Sequence, residues 1–261
     1  VLNVTPDSFS DGGKALDPAK ALDIALAMEA CGADIIDLGA ESTRPGAKPV
    51  STSEELARAV PVLKALAARL KVPISIDSYK AAVAAAAMDE GALMVNDISG
   101  FDYDPEMGPL VAKRGVPAVL MHTRGRPEDM YAHAEYTDLV REVVTDLQRC
   151  VTRAQDFGVA RRQLIVDPGL GFAKRGPQSL AALAGLDRLA ELGLPILVGP
   201  SRKSFLAAAT GPLEPGERDW PTAAAVTAAV LGGAHIVRVH AVEKMIHVVR
   251  VADAIRLAAD T

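Results

Sequence analysis

Short runs of apolar and β-branched residues alternate along the whole chain with longer segments in which alanine and leucine recur at helical spacing. The short runs predict strands at 1–4 (VLNV), 34–38 (DIIDL), 74–77 (ISID), 93–97 (LMVND), 117–121 (PAVLM), 163–167 (QLIVD), 195–199 (PILVG) and 236–240 (IVRVH). The longer segments predict helices near 17–31, 53–69, 80–90, 105–114, 137–157, 178–192, 222–233 and 243–259, with Ser53 placed to cap the second ahead of Glu54 and Glu55. Near-continuous apolar strands suit a parallel sheet covered on both faces, and regular strand–helix alternation marks repeated βα units. Eight such units in 261 residues predict an α/β fold, a single (β/α)8 TIM barrel, with one domain spanning the chain. A doubly wound sheet would share the alternation, but no Gly-x-Gly-x-x-Gly follows the first strand.

The polar positions sharpen this picture. Nearly every predicted strand ends in a polar or glycine-rich signal: Asn3, then Gly39 to Arg44, Asp77, Asn96 with Asp97, His122, Asp167, and Arg238 with His240. Any one of these Asp or Asn residues reads as readily as a helix cap or turn starter. A cap needs no Arg, Lys or His beside it, however, and in a barrel the C-terminal strand ends converge on the rim that carries the active site. Together these residues predict one pocket.

Composition narrows the ligand classes. With 49% hydrophobic, 23% charged and only 4% aromatic residues, the chain suits closely packed helices around a sheet rather than a β-sandwich. A net charge of −5 and the lack of a basic stripe argue against nucleic-acid binding, so any anionic ligand must be met by local cations. The most apolar stretch, 223–239, is interrupted by Gly232, Gly233, His235 and Arg238 and reads as a core helix running into a strand, not as a membrane span. Cys31 and Cys150 are far apart and inside helical patterns, which indicates no disulfide framework and suits a reducing cytoplasm. Nothing resembles a signal peptide. The chain opens at Val1 inside an apolar run, so a few preceding residues are expected.

The loop after the first strand completes the block LNVTPDSFSDGG at 2–13. It is followed in order by GAESTRPGA at 39–47, SIDSYK at 75–80, VNDISG at 95–100, DPGLGFAK at 167–174, SRKSF at 201–205 and RVH at 238–240. These blocks resemble the signatures of the dihydropteroate synthases, and they fall at the spacing of successive βα units across the chain. The resemblance implies an enzyme that joins 6-hydroxymethyl-7,8-dihydropterin diphosphate to para-aminobenzoate and releases pyrophosphate, the target of sulfonamides. It also implies a homodimer built from outer helices.

Residue by residue, the resemblance assigns Asp77, Asn96, Asp167 and Lys203 to the pterin ring. That suits their chemistry, since a carboxylate accepts ring N–H groups and an Asn amide both donates and accepts. Met121 and Phe172 are assigned to the ring faces, although Met121 reads equally well as barrel core. Asn3, Thr43, Arg44, Arg238 and His240 are assigned to the diphosphate, and Mg²⁺ is implied there, with Asn3 a direct or water-mediated ligand and Asp11 a candidate second. Phe9, Pro45 and Ser204 are assigned to para-aminobenzoate; Phe9 has the alternative of a buried loop anchor. A helix N-terminus near Ser204 suits the para-aminobenzoate carboxylate. The Pro- and Gly-containing loops 5–13 and 42–49 read as covers that order with substrate.

The implied mechanism is dissociative, needs no strong base, and fits the absence of a Ser–His–Asp or Cys–His set. His122 and His240 have no third ligand at a spacing suited to zinc. Ala40, Ser78 and Pro200 depart from the usual family pattern without removing a charged or ring-binding residue. A folate-dependent methyltransferase domain would share the ring site but has no use for the STRPG, SRKSF and RVH blocks. A silent pterin-binding scaffold would not need Asn3, Arg44, Lys203, Arg238 and His240. On this reading Arg238→Ala abolishes turnover and leaves the fold intact.

Overall fold

The computed structural model describes residues 1–5 and 17–259, so the assignments of Phe9 and Asp11 lie outside the described residues. Eight strands follow in order: β1 (Leu2–Asn3), β2 (Ile36–Gly39), β3 (Ile74–Asp77), β4 (Met94–Asp97), β5 (Ala118–Met121), β6 (Leu164–Asp167), β7 (Leu197–Val198) and β8 (Ile236–Val237). The first six pair in parallel in chain order, and β7 pairs with β8. A parallel bridge between Val166 and Ile196 joins β6 to β7, and Val1 N donates to Val239 O at 2.8 Å, which brings β8 back to β1. The sheet is thereby a closed barrel.

Around it run α1 (Pro18–Ala30), α2 (Thr52–Ala67), α3 (Ala81–Asp89), α4 (Met107–Arg114), α5 (Leu139–Asp156), α6 (Gly176–Ala184), α7 (Leu186–Leu189), α8 (Ala207–Thr210), α9 (Asp219–Leu231) and α10 (Val242–Ala259). Two details differ from the sequence expectations. Ser51, not Ser53, caps α2, accepting from Glu54 N at 3.2 Å. The helix expected over 178–192 starts at Gly176 and breaks at Gly185, where a Cβ would lie 2.7 Å from Val140; the close approach to α5 needs a glycine there.

The period-2 alternation of each strand separates two environments. Ile36, Leu38, Ile76, Val95, Leu120, Val166, Ile196 and Val198 belong to the main core between sheet and helices. Ile35, Met94, Val119, Ile165, Leu197 and Ile236 form a second cluster inside the barrel. Two residues further along each strand, the same inward face changes character: Asp37, Asn96, Met121, Asp167, Gly199 and Arg238. The barrel interior is thus apolar below and polar at the C-terminal rim, where active sites of this architecture sit. Among the described residues no helix is long and apolar enough to cross a membrane.

Candidate active site

Register places the rim side chains. Asn3 pairs with Gly39, Gly39 with Asp77, and Asp77 with Asn96, so four neighbouring strands present residues at or next to their C-terminal ends in one row. Across the barrel Met121 pairs with Asp167. Gly39 lets this row pack closely: a Cβ there would lie 3.2 Å from Asn3 Oδ1, tight enough to press on that side chain, and 3.6 Å from Asp77 Oδ2.

Arg238, just beyond β8, reaches across the mouth. Its Nε donates to Asp37 Oδ2 at 2.5 Å and its Nη2 to Asp77 Oδ2, while Asn96 Nδ2 donates to Asp37 Oδ2 at 3.2 Å. Asp37 was not singled out from the sequence, where it sits within an apolar strand run. The available signal was that a charge inside a fully buried parallel strand needs a partner. Its second oxygen has no hydrogen-bond partner among the described residues.

Lys203 enters from beyond β7, the neighbour of β8. Arg202, at φ 56°, turns the chain sharply, and this left-handed conformation is held by Asp219, which accepts from Arg202 Nε at 2.7 Å and Nη2 at 3.2 Å. Lys203 Nζ then donates to Leu170 O at 2.7 Å and lies 4.8 Å from the centre of the Phe172 ring. Met121 belongs to an apolar cluster with Tyr79 and Ile98, against which Phe172 and Tyr103 pack, so both residues assigned to ring faces line one patch.

The loop carrying Phe172 is bolted from below. Gly169 accepts φ +66° where any Cβ would fall 2.0 Å from His122 O, and its N–H donates to Asp167 Oδ1 at 2.7 Å. The fully buried Lys174 places its Nζ 2.7 Å from His122 Nδ1 and donates to the carbonyls of Phe172 (3.0 Å) and Gly169 (3.2 Å). His122 Nε2 in turn lies 3.2 Å from Asp146 Oδ2. Lys174 and His122 are therefore supports of the site rather than parts of its surface.

Burial dominates the electrostatics. It raises the Asp77 carboxyl to about 7, with the nearby Arg238 charge pulling the other way and Asp37 adding to the rise. One guanidinium serves two carboxylates, so its attraction does not cancel the desolvation of Asp77. Asp167 is also raised by burial, against the attraction of Lys203. Burial lowers Lys203 to about 8 and Lys174 to about 7. Arg238 is held above its ordinary value because Asp37 and Asp77 outweigh the burial that opposes its charge.

His240 is pushed down to about 3 by burial and by neighbouring positive groups that include Arg238 and Arg44. It is neutral at pH 7, with Nδ1 2.9 Å from Ser201 Oγ. Thr43 is half-buried, whereas Arg44, Pro45 and Ser204 are exposed on their loops. Ser204 opens a 3-10 turn, Ser204–Leu206, that runs directly into the short α8. At Pro200, which has no N–H, the carbonyl still accepts from Lys203 N at 3.4 Å.

The recess thus offers three carboxylates, one amide and two cations beside an apolar patch. Such a surplus of fixed acceptors suits a flat heterocycle with several N–H donors, and Arg238 Nη1, which has no hydrogen-bond partner among the described residues, faces no competing carboxylate bond.

The profile of the pterin binding enzyme family matches residues 1–240. Over 255 residues the chain is 47% identical to a dihydropteroate synthase of Synechocystis sp., covering 98% of this chain and 88% of that protein. It spans 30% of a longer relative from Haloferax volcanii, a probable bifunctional folylpolyglutamate synthase/dihydropteroate synthase, at 46% identity. Among solved structures it is similar to the Yersinia pestis dihydropteroate synthase with a sulfonamide drug complex, with TM-score 0.93, 41% identity, and coverage of 98% of this chain and 92% of that one. It is also similar to the Xanthomonas albilineans dihydropteroate synthase in complex with 7,8-dihydropteroate, with TM-score 0.87, 36% identity, and coverage of 98% and 91%.

Proposed function

The chain belongs to the dihydropteroate synthases of the pterin-binding enzyme family, transferases of folate biosynthesis, and from that premise we propose how its rim recess performs the condensation. The substrates are 6-hydroxymethyl-7,8-dihydropterin diphosphate and para-aminobenzoate. Asp77, Asn96, Asp167 and Lys203 hold the pterin edge, the carboxylates accepting ring N–H groups and Lys203 donating. Met121 and Phe172 cover the ring.

The bond between the pterin methylene carbon and the diphosphate oxygen breaks first, its electrons leaving with pyrophosphate. The electron-rich ring carries the resulting cation, and buried Asp77 and Asp167 favour it electrostatically. The arylamine nitrogen of para-aminobenzoate then forms the new C–N bond and loses a proton to solvent or to pyrophosphate. Arg238 Nη1, Arg44, Thr43, Asn3 and neutral His240 receive the growing negative charge on the leaving group. Phe9, Pro45 and Ser204 frame para-aminobenzoate.

Mg²⁺ fits this set of residues. Asn3 Oδ1 is a hard neutral oxygen at the edge of the recess and would hold the ion, with Asp11 as the second assigned oxygen ligand. That pattern suits an ion that draws most of its ligands from diphosphate oxygens and water. When bound, it supplies charge neutralisation of the leaving diphosphate.

The single observation behind this reading is the convergence of Asp77, Asn96, Asp167, Lys203 and Arg238 on one mouth. Titration with 6-hydroxymethyl-7,8-dihydropterin tests it. Asp167→Asn should weaken binding by at least about tenfold, the worth of roughly one charge-assisted hydrogen bond, with unchanged thermal unfolding. Wild-type affinity would overturn the ring assignment. Homodimerisation is part of the proposal, supported by α10, which leaves Val251 and Ile255, one turn apart, 61% and 52% exposed.

A further inference from the structure

The connection between β2 and α2 carries Thr43, Arg44 and Pro45, and both of its ends meet one ammonium group. Lys80, the last residue before α3, donates from Nζ to the Glu41 carboxylate at the start of the connection and to Val50 O at its end, 2.7 Å away. A third bond goes to Glu55 Oε2, at 2.6 Å, in the first turn of α2. Glu41 is fixed from its other oxygen by the Tyr79 hydroxyl at 2.7 Å. Glu55 is 1% exposed and the Lys80 side chain 14%.

Between these anchors the segment 42–49 is exposed at most positions. It makes one cross-loop bond, Gly46 N to Pro127 O at 2.9 Å, and one internal turn, Ala47 N to Arg44 O at 2.9 Å. A buried cation with two buried carboxylates is a costly way to hold a helix terminus, because apolar residues of similar volume serve stability as well or better. The arrangement does something an apolar cluster cannot: it ties two points of the chain on either side of a loop to a single atom with directional bonds.

We propose that Lys80 is a positioning residue, pinning Glu41 and Val50 so that Thr43 and Arg44 swing from a fixed hinge onto the leaving diphosphate. This rests on the assignment of Thr43 and Arg44 to that group. Lys80 itself touches no substrate; its effect passes through the loop. Among the described residues the pterin ring ligands Asp77, Asn96, Asp167 and Lys203 make no hydrogen bond to it, and Asp77 feels the clamp only through the charge of Glu55.

The test uses the full chain and three variants. Lys80→Met leaves Glu55 buried without its partner and can fail to fold, so Glu41→Ala is the informative change: it keeps the Lys80–Glu55 pair and releases the start of the loop together with the Tyr79 hydroxyl. Arg44→Ala reports on the underlying assignment. For Glu41→Ala we expect amide hydrogen exchange over 42–49 to quicken several-fold while α2 stays protected. Its kcat/KM should fall by about tenfold to a hundredfold, as for a catalytic group displaced by an ångström, its affinity for inorganic pyrophosphate should fall in parallel, and its affinity for 6-hydroxymethyl-7,8-dihydropterin should stay within twofold of wild type.

Unchanged exchange in the loop overturns the clamp, and so does faster exchange with wild-type kcat/KM. Equal losses for pyrophosphate and for the free pterin would mark Lys80 as a merely structural residue and also overturn it. If Arg44→Ala turns over at the wild-type rate, the loop's assignment to the diphosphate fails, while the exchange measurement still reads the clamp by itself.

Discussion

Replacing Arg238 with alanine removes the only cation hydrogen-bonded to Asp37 and Asp77 among the described residues. The Arg238 side chain is 21% exposed and the two carboxylates 12% and 13%, so none of the three is well hydrated. Breaking a buried ion pair by deleting one member costs about 3–5 kcal/mol, because the remaining charge is left unpaired. Here two carboxylates remain, and Asp77 escapes the penalty only by taking up a proton. Burial already raises Asp77 to about 7, and Arg238 is the charge that opposes this rise; without it the folded-state value climbs further.

A carboxyl raised in the folded state binds more protons there than in the unfolded chain throughout the interval between its two pKa values, so its contribution to stability is lost as pH rises through that interval. The deficit of Arg238→Ala should therefore be about 3 kcal/mol near pH 8 and shrink to about 1 kcal/mol near pH 5. Urea unfolding of wild type and variant at both pH values measures it. Adding Asp37→Asn should restore much of the stability at the higher pH and none of the turnover. A variant as stable as wild type near pH 8, or a deficit that grows on acidification, would refute the reasoning. These contacts change one expectation drawn from the sequence: Arg238→Ala should weaken the fold at the barrel mouth rather than leave it intact.

Other consequences follow from the same contacts. Lys174→Met should destabilise by about 2–4 kcal/mol, since the Gly169 and Phe172 carbonyls lose their buried donor, and should weaken pterin binding by unsettling Phe172. Because burial lowers Lys174 to about 7, its contribution is complete above its unfolded value and is lost as pH falls toward 7; the wild-type gain in melting temperature between neutral and alkaline pH should be smaller in the variant. Gly39→Ala, which pushes a methyl against Asn3 Oδ1, should cut kcat/KM by about tenfold or more while circular dichroism stays native, and wild-type kinetics would contradict the packing of that row. For the proposed homodimer through α10, Val251→Glu with Ile255→Glu should lower the sedimentation coefficient; an unchanged coefficient would overturn that contact.

The barrel was legible because its strands are short apolar runs whose inward residues turn polar at their last positions: Asp77, Asn96 and Asp167 could be placed at the rim from strand ends alone. Asp37 was not, because it lies one step deeper, where an Asp between Ile36 and Leu38 reads as part of the hydrophobic run. The two lysines that hold the loops, Lys80 and Lys174, were visible only as the last letters of SIDSYK and DPGLGFAK. A buried ammonium is a property of three-dimensional surroundings, and the partners lie in other βα units: Glu41, Val50 and Glu55 in that of β2 and α2 for Lys80, and His122 after β5 for Lys174. Ser51 displaced Ser53 as the cap of α2 because both serines precede the same acidic pair, and only the backbone entering the helix decides between them. The break at Gly185 depends on the nearness of Val140, which no local pattern records.

The most direct measurement of the central claim is pyrophosphate release by the purified chain with dihydropterin diphosphate and Mg²⁺, with para-aminobenzoate added or omitted. The account predicts release that depends on para-aminobenzoate and is matched mole for mole by dihydropteroate. Tight binding of the pterin by folded protein with no release under either condition would contradict it.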